Sequence, residues 1–120
     1  MSRNHASARA AGARFERTVA DYLAAHVSEF IDRRVKTGAK DKGDLVNVRA
    51  FGKRVVVEAK DYGGRFLLGP WLREVDIERG NDDAVAGVVV IKRRGCSDPG
   101  DQVVAMTVRD LVALLTGERP

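Results

Sequence analysis

The chain is poor in the features that mark secreted and membrane proteins. Its single cysteine, Cys96, cannot form a disulfide within the chain, which fits a reducing compartment. No apolar run approaches the roughly 20 residues that span a bilayer, and the N-terminal segment lacks the apolar stretch of a secretory signal. We therefore expect a cytoplasmic protein without a membrane anchor.

Histidine is also scarce, and the charge balance favours one kind of partner. His5 and His26 stand far apart without other ligand residues nearby, which argues against a zinc site. Lys and Arg number 21 against 17 Asp and Glu, for a net charge of +4, a moderate excess that suits a polyanionic partner. At 120 residues, the chain is expected to form a single domain, residues 1–120.

Hydrophobic periodicity predicts an alternation of helices and strands. Apolar residues recur at helical spacing between Ala6 and Val27, including Phe15, Val19, Tyr22 and Leu23, and so predict a first helix. A strand over 30–36 and an exposed loop over 37–43 follow. Val-rich segments at 44–49 and 54–60 flank a short Gly-containing turn, which predicts an antiparallel hairpin.

The second half of the chain repeats the alternation. A helix is expected between Pro70 and Gly80, with Trp71, Leu72 and Val75 on its buried face. Residues 85–91 are nearly all apolar and predict a central strand, and 102–106 predict a last strand. Thr107 can cap a final helix that ends at Gly117, with Leu111, Val112, Leu114 and Leu115 packed inward. The expected order is α-β-β-β-α-β-β-α.

Two acids and a lysine are expected to meet on the predicted hairpin. Alternate residues of a strand point to one face, so Glu58 and Lys60 project together and Ala59 points away. With the turn near Gly52, Asp44 lies across from this end of the strand. On its own, Glu-x-Lys is usually a hydrated surface pair. Three valines before Glu58 predict a buried strand instead, where charges need partners or a metal.

The motif resembles that of the PD-(D/E)xK nuclease superfamily, which has an acid on one strand and (D/E)-x-K on the next. Here the motif reads Gly43-Asp44 and Glu58-Ala59-Lys60, with Gly43 in place of the proline. The resemblance implies an α/β fold with a restriction-endonuclease-like core, α-β-β-β-α-β, extended by a strand and a C-terminal helix. It also implies a Mg²⁺ site, in which Mn²⁺ can substitute, formed by Asp44, Glu58 and the main-chain carbonyl of Ala59.

Within the superfamily, the chain is most similar to small Holliday junction resolvases of archaeal type, and its compactness favours a phage-encoded member. These resolvases place a further acid on the first helix, and Glu16 is its counterpart here. Their glycine-rich approach to the catalytic Asp resembles residues 38–44. Basic residues that precede the acids could hold DNA phosphates or could be solvated surface. They are Arg33, Arg34, Lys36, Lys40 and Lys42.

The function expected from the resemblance is a homodimeric, Mg²⁺-dependent endodeoxyribonuclease acting on branched DNA, with Glu16, Asp44, Glu58 and Lys60 as catalytic residues. Two alternatives stay open. The same site could serve a restriction-type, nicking or RecB-like nuclease on linear or single-stranded DNA. In a protein of another class, a nucleic-acid-binding module without catalysis, the acids and Lys60 would form a structural ion-pair network.

Overall fold

The structure is a computed structural model that describes residues 3–120. These residues form an α/β fold with three helices, a mixed four-stranded sheet and a small antiparallel sheet of two strands. The helices are α1 (His5–His26), α2 (Leu68–Asn81) and α3 (Val108–Thr116), and a single 3-10 turn spans Pro99–Asp101. The strands are β1 (Asp32–Arg33), β2 (Leu45–Val46), β3 (Arg49–Ala50), β4 (Lys53–Lys60), β5 (Ala86–Ile91) and β6 (Val103–Ala105).

The larger sheet has the order β3-β4-β5-β6, and its centre is a parallel pair. Strands β3 and β4 form an antiparallel hairpin at the expected turn, but the pairing covers only Arg49–Ala50 and Lys53–Arg54 and not the whole of 44–49 with 54–60. Strand β5 pairs with β6 in the antiparallel sense. Strand β4 runs parallel to β5, which requires the crossover that α2 supplies. Every residue of β5 is buried, so the prediction of a central strand covered on both faces is confirmed.

Helices α1 and α2 cover opposite faces of this sheet. Val57 of β4 packs with Phe15 and Val19 of α1, whereas Val56 packs with Trp71 and Val75 of α2. The strand period of two therefore sends even-numbered residues of β4 toward α2 and odd-numbered residues toward α1. Glu58 and Lys60 continue the row of Val56 and meet acids of α2.

The short strands differ from the sequence prediction. The predicted strand over 30–36 is reduced to β1, and the predicted strand over 44–49 is split into β2 and β3. The split falls at Asn47, whose backbone has a left-handed φ of 65° that a regular strand does not allow. The Asn47 side chain donates to the carbonyl of Phe30, which ties the break to the chain before β1.

The helices lie close to their predicted bounds, with local corrections. Helix α2 continues one residue past Gly80, and Val27 at the end of α1 is 64% exposed. Thr107 caps α3 through a capping box with Asp110, and Gly117 ends the helix with φ 79°. Leu111 and Leu115 are 43% and 69% exposed, because the face of α3 that meets the sheet centres on Ala113 and Leu114.

Hydropathy along the helices is modest. Among residues 3–120, no helix has the length and apolar content that a bilayer crossing requires.

Candidate metal centre and active site

Asp44 lies beside the C-terminal half of β4, near Glu58, although the β3-β4 ladder is confined to residues 49–54 and β2 pairs with β1. Its amide donates to the carbonyl of Val57 at 2.9 Å, and its Oδ2 accepts from the amide of Ala59 at 2.8 Å. Gly43 permits this close approach because a Cβ on it would lie 2.7 Å from a methyl group of Val56, and its φ of +92° favours glycine.

Asp44 and Glu58 are both buried, and their carboxyl groups contact each other. Burial, followed by the contacts with Asp44 and Glu78, raises the pKa of Glu58 to about 12. Burial also opposes ionisation of Asp44, but contacts with Glu58, Lys36 and the Ala59 amide outweigh it and lower its pKa. The pair therefore shares a proton unless a cation takes its place.

Glu78 of α2 extends this pair into a cluster of acids. It is 2% exposed, and among residues 3–120 no amide, hydroxyl, ammonium or guanidinium group donates to its oxygens, so only a protonated neighbouring carboxyl such as Glu58 could. Burial raises its pKa to about 7, although its contact with the Glu58 carboxyl acts in the opposite direction. Carboxylate oxygens of Asp41, Glu58 and Glu78 lie within 4.8 Å of one another, so the three residues could hold a metal ion.

The donor set suits a hard cation. It consists of carboxylate oxygens alone, which Mg²⁺ and Ca²⁺ prefer to nitrogen or sulfur. Two buried oxygens without a donor are costly unless a proton or a cation neutralises them. The residues present therefore fit a divalent ion, and Glu58 is common to the predicted pair with Asp44 and to the cluster with Glu78.

Lys60 lies close to these acids and pairs with Glu74, an acid outside the predicted motif. Its Nζ donates to both carboxylate oxygens of Glu74, at 2.9 and 3.1 Å. Burial alone would lower the pKa of Lys60, but the bonds to Glu74 outweigh it and raise the pKa. The ammonium stays charged and is held in place by α2.

Glu16 is half-buried on α1 and faces the acids from the other side of the sheet edge. Burial and the nearby charge of Asp44 raise its pKa, while Lys36 and Arg33 act in the opposite direction. The Arg33 guanidinium lies 3.6 Å from its carboxylate. Glu16 is thus part of the same electrostatic environment as Asp44.

A single cavity of about 910 Å³ brings the predicted residues together. Its lining includes all four predicted catalytic residues and Ala59, and also Asp41 and Glu74. Asp44 and Glu58 are therefore reached from an open cavity, which Glu78 does not line. They are not sealed in a closed ion pair.

Of the five predicted phosphate-binding residues, only Lys36 lines the cavity. Its Nζ bonds there to Asp44 at 2.8 Å. Arg33 pairs with Glu16, and Arg34 lies 3.5 Å from Asp82 at the end of α2. Lys40 and Lys42 are exposed on the loop before Asp44 and lie outside the cavity.

The acids of α2 are absent from the predicted site, although helical spacing carries a signal for both. The sequence predicts Trp71 and Val75 on the buried face of α2, and Glu78 follows at the third position after Val75. Helix geometry puts residues three and four apart on one face, so Glu74 and Glu78 belong to the same stripe.

Comparisons with known proteins found no matching family model, curated protein or solved structure.

Proposed function

We propose that this chain is a metal-dependent endodeoxyribonuclease that hydrolyses phosphodiester bonds, with branched DNA as its substrate. One observation carries the proposal. Asp44, Glu58 and Glu78 are buried carboxyl groups in one contiguous cluster, and the first two line an open cavity together with Lys60 and Glu16. Buried acids at this density are costly in a structural role, whereas a nuclease needs them to hold a cation beside a phosphate.

The order of elements supports a restriction-endonuclease-like core. Helix α1, strands β1 to β4, helix α2 and strand β5 follow one another, which matches α-β-β-β-α-β when β2 and β3, the two parts of the predicted strand over 44–49, are counted as one. Strand β6 and helix α3 would be additions to this core. The Asp44 and Glu58-Ala59-Lys60 motif occupies adjacent chain segments at one end of this sheet. The homodimer expected from the resemblance remains a prediction.

In the proposed mechanism, Asp44, Glu58 and the Ala59 carbonyl would hold Mg²⁺, with Asp41 and Glu78 available as further ligands. When bound, the ion would polarise the scissile phosphodiester and lower the pKa of a water molecule. In the hydrolysis, the oxygen of water would form a bond to phosphorus and lose one proton to solvent. The bond from phosphorus to one ester oxygen would break, and that leaving oxygen would take up a proton from solvent.

The chain's own side chains orient this reaction. Lys60 supplies a fixed positive charge against the charge that develops on the phosphoryl oxygens, and its two bonds to Glu74 keep it in place. Glu16, half-buried and near Asp44, would accept a hydrogen bond from the attacking water.

A purified-protein assay tests the proposal. Labelled four-way junction, linear duplex and single-stranded DNA are incubated with Mg²⁺, with Mn²⁺ or with EDTA. We expect symmetrical nicking of the junction that EDTA abolishes. Asp44→Asn or Glu58→Gln should reduce cleavage by at least about a hundredfold and retain most junction binding, because each removes a ligand charge. Glu29→Gln, at an exposed carboxylate remote from the cavity, is the matched control.

The rival function is a nucleic-acid-binding module without catalysis. The ion pairs Lys36–Asp44 and Lys60–Glu74 favour it, because they give the acids a structural role. The same assay separates the two. Cleavage of linear or single-stranded DNA alone would keep a nuclease and remove the junction preference, whereas binding without cleavage under every metal condition would favour the module.

A further inference from the structure

The charged side chains around the 910 Å³ cavity do not all find partners within it. Three cations that line it are paired with acids that also line it, in the pairs Arg3–Asp61, Lys36–Asp44 and Lys60–Glu74. Three guanidinium groups remain. Among residues 3–120, Arg9, Arg65 and Arg94 form no ion pair, and their side chains make no hydrogen bond to the protein.

These three arginines come from different parts of the chain. Arg9 is on the first turns of α1, Arg65 follows the Gly63-Gly64 turn after β4, and Arg94 follows β5. Their convergence on one cavity is a property of the fold and is not a local run of basic residues. Each is exposed, so its guanidinium can reach a ligand in the cavity.

A close backbone contact brings two of the loops together. Gly64 has φ +92°, and a Cβ on it would lie 2.7 Å from the Cβ of Arg94. The turn after β4 therefore packs directly against Arg94 in the segment after β5, and Arg65 is the residue that follows Gly64 in the chain. Glycine is needed at position 64 because any side chain there would clash with Arg94.

We infer that Arg9, Arg65 and Arg94 form a phosphate-binding wall that holds the DNA backbone against the acidic wall of the same cavity. The inference rests on the proposed function for the identity of the anion. Guanidinium groups bind phosphate oxygens with two parallel hydrogen bonds and stay charged at any working pH. They also offset the repulsion between DNA and the carboxylates that line the same cavity.

Binding measured in EDTA tests the wall without cleavage. The anisotropy of a labelled four-way junction is followed against NaCl concentration for the full-length protein. Each phosphate contact contributes about 0.9 to the slope of log K against log salt. Each single variant, Arg9→Gln, Arg65→Gln or Arg94→Gln, should reduce the magnitude of this negative slope by about one. The triple variant should reduce it by roughly two to three.

Matched controls separate a specific wall from general surface charge. Arg14→Gln changes an exposed arginine of the same helix as Arg9, outside the cavity, and should leave the slope unchanged. Gly64→Ala should weaken junction binding by displacing Arg94, whereas Gly63→Ala, at a positive φ with no atom within 4 Å, should have little effect. Urea midpoints of all variants show that each remains folded.

The outcomes of this experiment and of the cleavage assay are independent. If the wild type binds DNA and the arginine variants show the same salt dependence of binding, the proposed phosphate-binding role of the arginines is wrong and the nuclease proposal stands. If the slopes fall as expected but no DNA is cleaved with Mg²⁺ or Mn²⁺, the wall stands and the nuclease proposal fails. A wild-type protein that binds no DNA at low salt overturns the wall as well.

Discussion

A single buried acid far from the cavity holds the C-terminal helix to the sheet. Asp110 accepts hydrogen bonds from the Thr107 hydroxyl, the Gly87 amide and the Arg119 guanidinium, the last two at 3.2 and 2.6 Å. Burial opposes its ionisation, but the bonds from Arg119, Thr107 and Gly87 outweigh it and hold the pKa below its usual value. Asp110 is therefore a structural carboxylate, in contrast to Glu58.

Replacing Asp110 should show, in a stability measurement, that its carboxylate stabilises the fold. Asp110→Ala removes one half of the capping box of α3 and leaves Arg119 without its closest partner, so we expect a loss of about 3 kcal/mol in the free energy of unfolding. Urea denaturation at neutral pH measures it. Glu29→Ala, at an exposed acid without a hydrogen bond among residues 3–120, should change the value by less than about 0.5 kcal/mol.

The pH dependence of the same group follows from its lowered pKa. A carboxyl group with a lower pKa in the folded state than in the unfolded state stabilises the fold above its unfolded value of 3.8. That contribution is lost as the pH falls through the folded value. Asp110→Asn should therefore be less stable than the wild type at neutral pH, and the difference should shrink in acid. A constant difference down to pH values below 3.8 would contradict this account.

At the scale of elements, the loop between β1 and β2 carries Asp41 and Asp44 and depends on one glycine. A Cβ on Gly43 would lie 2.7 Å from Val56 Cγ1 and 3.1 Å from the carbonyl oxygen of Val57, at φ +92°. The loop is therefore pressed against β4, and that contact sets where its acids lie relative to Glu58.

Gly43→Ala should move this loop, and a second glycine of the same loop provides the control. Gly38 also has a positive φ, +79°, but a Cβ there would meet nothing within 4 Å. We expect Gly38→Ala to cost about 1 kcal/mol from backbone strain alone, and Gly43→Ala to cost about 2 to 4 kcal/mol and to weaken cation binding. Urea denaturation and Mg²⁺ titration calorimetry measure both effects. Equal behaviour of the two variants would show that the contact with β4 is unimportant.

How much of this arrangement could be predicted depends on how local its causes are. The sequence predicts Asp44 near Glu58 because a short turn and a period of two determine register in a hairpin. The two acids do meet, but through the bond of the Asp44 amide to Val57, because the hairpin ladder itself is confined to residues 49–54. Glu74 and Glu78 were missed because helical spacing identifies a face without saying which side of the sheet that face covers. Arg65 and Arg94 meet through a contact between two loops that are distant in sequence, for which the sequence carries no pattern.

At the scale of the whole molecule, the acidic cluster links three separate parts of the fold. Asp41 belongs to the loop before β2, Glu58 to the central strand β4, and Glu78 to the last turn of α2. A ligand that binds all three binds only the folded chain, so it should stabilise the fold as a whole through mass action. At a Mg²⁺ concentration about a hundred times the dissociation constant, the gain would be roughly 2.7 kcal/mol.

Glu78→Gln should raise the stability of the fold in EDTA and weaken its binding of Mg²⁺. The amide removes a buried charge and can donate a hydrogen bond to a neighbouring carboxylate, so in EDTA we expect the urea midpoint to rise by the equivalent of about 1 to 3 kcal/mol. With saturating Mg²⁺, the wild type should gain stability and the variant should gain much less. Glu29→Gln should respond to Mg²⁺ like the wild type. If Glu78→Gln lowers the midpoint in EDTA and keeps the full response to Mg²⁺, Glu78 is a structural acid and the cation is held without α2.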